Sequence, residues 1–321
     1  HTIQDSSEKN VIVGNSLIDL YMKCGRIEDA LEIFDKLLTR HHVIWSAIIA
    51  GLAEQGYCQA ALMFFQQMRH EGIEADPTTF VCILKACSKL GALEQGKLVH
   101  AQINQKICET DCFVASSLID MYANCGSLMN AQTVFDGLAI PNVVAWSAII
   151  SGYAENSEYL VALGYFNQMQ HDGIKPVDVT YTSLLCACNR LGLVKEGCYH
   201  FECMVKDHGI TPTLEHYNCM IDLMGRVGYL HEARDLSFTM PMLPSLVAWM
   251  SLLSHCRIHG SMNLGAKCYE NVVVIDEFHA SSYELMSKLY VDTGEYEKAD
   301  SIQEKRKHAC AWKKAGMAFI E

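Results

Sequence analysis

Two short stretches carry residue types capable of hydrolytic chemistry. His200-Phe201-Glu202 matches the first half of the zinc deaminase signature, in which the metal activates water and the glutamate moves protons; the second half is Pro-Cys-x-x-Cys. None of the 15 cysteines forms a Cys-x-x-Cys, so the thiolates that would complete such a site are missing. Cys256 and His259 are spaced to share a helix face, but two ligands do not close a tetrahedral zinc site. A phosphate-binding glycine loop and a nucleophile triad are both absent from the sequence. The expectation is a chain with no catalytic residues, no metal site and no cofactor.

A different chemistry is written in repetition. Trp45-Ser46-Ala47-Ile48-Ile49 returns as Trp146-Ser147-Ala148-Ile149-Ile150, 101 residues later. Residues 15–37 return as 116–138, pairing Asp19 with Asp120, Tyr21 with Tyr122, Gly25 with Gly126, Ala30 with Ala131 and Phe34 with Phe135. A third copy runs from Asn218 through Asp222, Gly228 and Ala233. Short polar side chains therefore recur at one position in an array, and a row of such groups can read a row of ligand units.

The elements that must hold this row are helix pairs. Leu17, Ile18, Tyr21 and Cys24 lie on one apolar face, and Ala30, Leu31, Phe34 and Leu37 on another. Gly25 between them is placed to end the first helix in a left-handed cap, and Glu28-Asp29 to open the second. Phe34, Phe65, Phe135 and Phe166 and the repeated tryptophans read as core. Units of 31, 35 and 35 residues make up the 101-residue period. Stacked pairs of this kind form an all-α, right-handed superhelical solenoid with a concave inner face.

Composition limits the alternatives. Half the residues are hydrophobic and 19% are charged, as in a chain with a packed core. No stretch approaches the roughly 18 consecutive apolar residues needed to cross a bilayer, so no membrane partner is expected. The odd cysteine count suits small buried thiols in a reducing compartment. A net charge of −12 repels polyanions through the overall field, so nucleic acid would need a local basic track. The chain opens on His1, which reads as a fragment whose targeting segment has been lost. Lys305-Arg306-Lys307-His308 and Lys313-Lys314 give it a basic end, read as a solvated last helix capping the stack in preference to a phosphate contact.

The unit lengths and motifs resemble the plant pentatricopeptide-repeat family, in its PLS subgroup of alternating short, ordinary and long repeats. Asn15-Ser16-Leu17-Ile18-Asp19-x-Tyr21-x-Lys23-Cys24-Gly25 is similar to the short repeat, the Trp45 and Trp146 stretches to the ordinary one, and Leu84-Lys85-Ala86-Cys87 with Gly91-Ala92-Leu93-Glu94-Gln95-Gly96 to the long one. Tyr217-x-x-Met220-Ile221-Asp222-Leu223-x-Gly225-Arg226-x-Gly228 and Trp249-x-Ser251-Leu252-Leu253-x-x-Cys256-Arg257-Ile258-His259-Gly260 resemble the terminal repeat and E motifs of organellar RNA-editing factors. The resemblance divides the chain into a long-repeat tail at 1–10, seven repeats starting at 11, 42, 77, 112, 143, 178 and 214, and an E-type extension at 246–321.

In that family each repeat addresses one nucleotide through its fifth and last residues. The resemblance thus implies reading pairs Asn15/His41, Ser46/Asp76, Val81/Asp111, Ser116/Asn142, Ser147/Val177, Thr182/Thr213 and Asn218/Ser245. Ser46/Asp76 is expected to favour guanine, Ser116/Asn142 adenine and Asn218/Ser245 a pyrimidine; the other four are expected to be weak or silent. Apolar second residues Ile12, Val43, Phe113, Val144 and Val179 would sandwich bases, a pattern that Glu215 breaks. Basic thirteenth residues Lys23, Lys89, Arg190 and Arg226 are candidates for phosphates, whereas Glu54 and Glu155 oppose them. The implied function is sequence-specific binding of single-stranded organellar RNA, as a site-recognition factor for cytidine-to-uridine editing in a mitochondrion or chloroplast. The repeat at 214 would lie four nucleotides upstream of the edited cytidine. A deaminase would come in trans, or from a lost C-terminal domain, with accessory editing factors docking on the E region. The alternative is a tetratricopeptide-like scaffold that binds protein and no RNA.

Overall fold

In the computed structural model the described residues are 2–37, 40–103 and 111–309, with side chains described from Val13 onward. Ile12, Lys313 and Lys314 fall outside the described side chains, as does the chain from Cys310 to its end. All regular structure among the described residues is helical. The chain divides into two compact units, His1–Pro176 and Val177–Glu321.

The first unit holds α1 (Thr2–Lys23), α2 (Ile27–Lys36), α3 (His42–Glu54), α4 (Cys58–His70), α5 (Pro77–Leu90), α6 (Leu93–His100), α7 (Cys112–Asn124), α8 (Leu128–Asp136), α9 (Val143–Glu155) and α10 (Tyr159–His171). The second holds α11 (Asp178–Leu191), α12 (Val194–Lys206), α13 (Leu214–Val227), α14 (Leu230–Thr239), α15 (Leu246–Ile258), α16 (Met262–Ile275), α17 (Ala280–Asp292) and α18 (Tyr296–His308). Odd-numbered helices pack directly on one another within each unit: α1 on α3, α3 on α5, α5 on α7 and α7 on α9, then α11 on α13, α13 on α15 and α15 on α17. Each even-numbered helix packs on its own partner, as α4 does on α3 and α12 on α11. The result in each unit is an α-solenoid with one layer of first helices and one of second helices.

Local sequence accounts for the breaks. Asp76 caps α5 by accepting the Thr79 N–H, and Pro77 occupies the first turn, where its missing N–H costs nothing. Gly91 ends the same helix at φ 63°, a left-handed conformation that suits glycine. At the start of the chain no glycine or proline intervenes between Thr2 and Val13, and α1 runs unbroken across the point where Val11 was expected to open a repeat.

The repeated pentapeptide serves the core. Trp45 and Trp146 are buried, and each meets the phenylalanine of the preceding pair edge-on: Phe34–Trp45 at 4.8 Å and Phe135–Trp146 at 4.7 Å between ring centroids. Phe238–Trp249 repeats the contact in the second unit at 5.7 Å. Gly96 and Gly197 mark close approaches, since an added Cβ would lie 2.3 Å from Met121 Sδ or 2.5 Å from Leu223 Cδ2. These two glycines let a second helix seat against the next first helix. No helix among the described residues is long and apolar enough to cross a membrane.

Candidate nucleic-acid interface

The reading positions fall at the starts of the first helices. The last residue of each expected repeat is an N-cap residue: His41, Asp76, Asp111, Asn142, Val177, Thr213 and Ser245. Asp76, Asp111, Asn142 and Ser245 accept backbone N–H bonds from the turn they open, whereas the His41 and Val177 side chains make none. The fifth residue lies one turn into the preceding first helix, except Asn15, which lies well inside the unbroken α1; within each unit these first helices pack alongside one another.

Three pairs are bonded, directly or through one further side chain. Ser46 Oγ lies 3.5 Å from Asp76 Oδ1 and 2.7 Å from Thr79 Oγ1, while Thr79 donates to Asp76 Oδ1 from both its hydroxyl (2.6 Å) and its N–H (2.7 Å). Ser245 Oγ donates to Asn218 Oδ1 at 3.3 Å and caps the Ala248 N–H at 3.2 Å. Thr182 and Thr213 are joined by the buried His216, whose Nε2 is 3.0 Å from Thr182 Oγ1 and whose Nδ1 is 3.0 Å from both Thr213 N and Thr213 Oγ1. Thr79 and His216 were not singled out from the sequence. Their signal was a polar third residue, shared with Thr180, where Ile44, Val114, Ala145 and Ala248 stand elsewhere.

The remaining pairs behave differently. Ser116 is buried and turns its hydroxyl to Phe113 O at 3.2 Å, while Asn142 caps Val144 and Ala145 at 3.1 and 3.0 Å, so no hydrogen bond joins them. Asp111 caps Phe113 and Val114 opposite the apolar Val81. Asn15 Oδ1 is buried without a hydrogen-bond partner, and His41 is exposed and caps α3 without a side-chain bond. Ser147 belongs to the first unit and is buried; Val177 opens the second and is exposed.

The flanking positions are less uniform. Val43, Phe113, Val144 and Val179 are all exposed, Phe113 at 64%, although each is large and apolar. Among the basic residues, Lys23 pairs with Asp19 on its own helix at 2.8 Å. Arg226 is held by Asn189 Oδ1 at 3.2 Å and Asp222 Oδ2 at 3.3 Å. Lys89 and Arg190 are exposed. Asp120 on α7 lies near Lys85 and Glu155; lost solvation and then the Glu155 charge push its carboxyl up to about 6, with Lys85 opposing. Its surface is nonetheless exposed, so solvent weakens that effect.

Asp222 forms the densest polar cluster of the second unit. It accepts from His255 Nε2 (2.8 Å), Asn189 Nδ2 (2.8 Å), Ser251 Oγ and Arg226. The His255 bond, with those of Ser251 and Asn189, holds its carboxyl well below the usual carboxylate range against the opposing effect of burial. Serine and histidine both bond the carboxylate here; they do not form the serine-to-histidine-to-aspartate relay of a nucleophile site. His200 is buried within α12, and His259 is the exposed C-cap of α15, turned to Arg226 O at 3.3 Å, while Cys256 is buried. Among the described residues no three His, Cys, Asp or Glu side chains group to hold a metal ion.

Stacked helix pairs whose first helices begin on capped, recurrent polar residues define a helical-repeat solenoid. Residues 40–89 and 141–190 match the PPR repeat family, residues 166–226 the pentatricopeptide repeat domain and residues 15–42 the PPR repeat, together half of the chain. The chain belongs to the pentatricopeptide-repeat family. A mitochondrial pentatricopeptide repeat-containing protein of Arabidopsis thaliana is 38% identical over 290 residues, covering 90% of this chain and 52% of its own length. A second mitochondrial one is 35% identical, covering 99% and 50%, and a chloroplastic one 36% identical, covering 89% and 39%. The chain thus spans about half, or less, of the length of these relatives. The crystal structure of the pentatricopeptide repeat protein PPR10 in complex with an 18-nt psaJ RNA element shares the fold at a TM-score of 0.70 and 18% identity, over 92% of this chain and 45% of that one. PPR10 from maize aligns at 0.63 and 19% identity, over 92% and 43%.

Proposed function

We propose that the chain binds single-stranded RNA in a sequence-specific manner, one nucleotide to each of the repeats starting at 11, 42, 77, 112, 143, 178 and 214. The observation that carries this reading is the contact between side chains 30 residues apart, Ser46 and Asp76, at 3.5 Å. Joined with Thr79, they form one polar cluster at the mouth of two adjacent first helices. The carboxylate offers acceptors to guanine, whose N1–H and N2–H2 are neighbouring donors on its Watson–Crick edge. At the other end, Ser245 occupies the amide oxygen of Asn218 and leaves the amide N–H groups for pyrimidine acceptors. The exposed Val43, Phe113, Val144 and Val179 supply apolar faces for unstacked bases.

The biological role follows from the motifs. The PLS alternation and the E-type extension at 246–321 favour a site-recognition factor for cytidine-to-uridine editing, with a deaminase or accessory editing factor engaging the E region. PPR10 was crystallised with RNA, and relatives carry mitochondrial and chloroplastic names; both support RNA as the ligand and an organelle as the location. The test is a gel shift with an RNA carrying guanine, adenine and cytosine at nine, seven and four nucleotides upstream of a cytidine. Preference over a scrambled RNA supports the reading. Equal affinity for both sinks it, and would favour a protein-binding scaffold.

A further inference from the structure

We infer that the third residue of a repeat governs base choice by the repeat before it, acting as a positioning residue through that repeat's reading pair. The inference rests on the RNA-reading proposal. Thr79, fully buried at the third position of the repeat at 77, sits between both readers of the repeat at 42. Its hydroxyl has one proton, and the 2.6 Å contact gives that proton to the Asp76 carboxylate, which can only accept. The 2.7 Å contact with Ser46 is then donated by Ser46, whose one proton is shared with the His42 carbonyl of its own helix at 2.9 Å. Protons therefore run in one direction, Ser46 to Thr79 to Asp76. Ser46 faces a base with lone pairs only, beside the second oxygen of Asp76. Two neighbouring acceptors match guanine and mismatch adenine, whose edge sets a donor beside an acceptor.

His216 does the same for the repeat at 178. The Thr213 N–H can only donate, so His216 Nδ1 is the acceptor and the ring proton resides on Nε2. That proton points to Thr182 Oγ1 and Asp178 O, at 3.0 and 3.1 Å. Thr182 gives its own proton to Asp178 O at 3.1 Å, and Thr213 turns its hydroxyl to Nδ1. Both threonine oxygens are left as acceptors. A pair expected from the family pattern to be weak thus becomes a second guanine reader, set by a histidine outside the fifth-and-last rule. Where the third residue is apolar, as Val114 and Ala145 are, no such link forms, and the Ser116 hydroxyl turns only to its own helix, at Phe113 O.

The experiment measures Kd for RNAs that differ only at the nucleotide facing Ser46/Asp76, with the wild-type chain, Thr79→Val and Thr79→Ser. Wild type is expected to prefer guanine over adenine about tenfold. Losing the Thr79 hydroxyl should cut that ratio about threefold, the scale of one hydrogen bond; Thr79→Ser should restore it, and the preference at the Asn218/Ser245 nucleotide should not move. A second variant, His216→Asn, keeps an acceptor for the Thr213 N–H but cannot reach Thr182, and should lose guanine preference only at its own nucleotide. An unchanged ratio in folded Thr79→Val, or an equal loss in Thr79→Ser, overturns the inference while leaving RNA reading intact. A wild-type chain with no preference at any nucleotide overturns both.

Discussion

Replacing Asp222 with alanine should destabilise the second unit by about 3 kcal/mol, the cost of leaving partners of a largely buried carboxylate unpaired. The side chains of Asp222 and His255 are only 27% and 8% exposed, and α11, α13 and α15 all send donors to this one group. A hydrogen bond to a charged group contributes about 1.5–3 kcal/mol, and water reaching the cavity recovers part of what four lost bonds would cost. The sign with pH follows from the depressed carboxyl. In the unfolded chain an aspartate titrates near about 3.9; folded, Asp222 stays ionised to lower pH, so the unfolded state binds more protons in between. Its stabilisation is complete above that unfolded value and drains as pH falls toward the folded one. Urea unfolding of wild type and Asp222→Asn should therefore differ by a constant amount between pH 5 and 8 and converge below about pH 4. A double-mutant cycle with His255→Ala should return a coupling of about 1–2 kcal/mol. Additive single effects, or a gap that widens in acid, would refute the account.

Two further outcomes follow from contacts elsewhere. Gly152→Ala brings a Cβ to 2.7 Å from the Ala123 Cβ on the facing first helix, which can yield only by moving backbone, so a loss of about 2–3 kcal/mol is expected in denaturant unfolding; Gly197→Ala meets the rotatable end of Leu223 at 2.5 Å and should cost about 1 kcal/mol, and equal losses would contradict this. Four phosphate contacts would give a log–log salt slope of about −2.8 for single-stranded RNA. Lys23 and Arg226 are already engaged by Asp19 and Asp222, so binding isotherms from 50 to 200 mM salt should give a slope shallower than that four-contact value.

How much of this was legible in the sequence depends on the range of the interaction. Helix pairing was, because apolar spacing, Gly25, Gly91 and Asp76-Pro77 act within one or two turns. The tryptophans of the repeated pentapeptide could be assigned to the core because each meets the same phenylalanine partner in consecutive copies. The continuity of α1 was not foreseen, since a repeat register says where a unit should begin and nothing about whether the chain must break there. Proton direction was hidden as well. Ser46 and Ser147 sit in identical pentapeptides, yet the cap that follows about thirty residues later is Asp76 for the first and Val177 for the second.

The polar third residue explains why that hidden layer matters. A hydroxyl can give or accept, so a serine or threonine facing a base carries no fixed message until something else takes its proton. Asp76 does this for Ser46 through Thr79, and His216 does it for Thr213, each held in place by the backbone N–H of Thr79 or Thr213. The anchor is therefore the helix start itself. On the proposed RNA reading, specificity at these two repeats would rest on bonds at the helix start, and a substitution that weakens them should blur base choice before it unfolds the repeat.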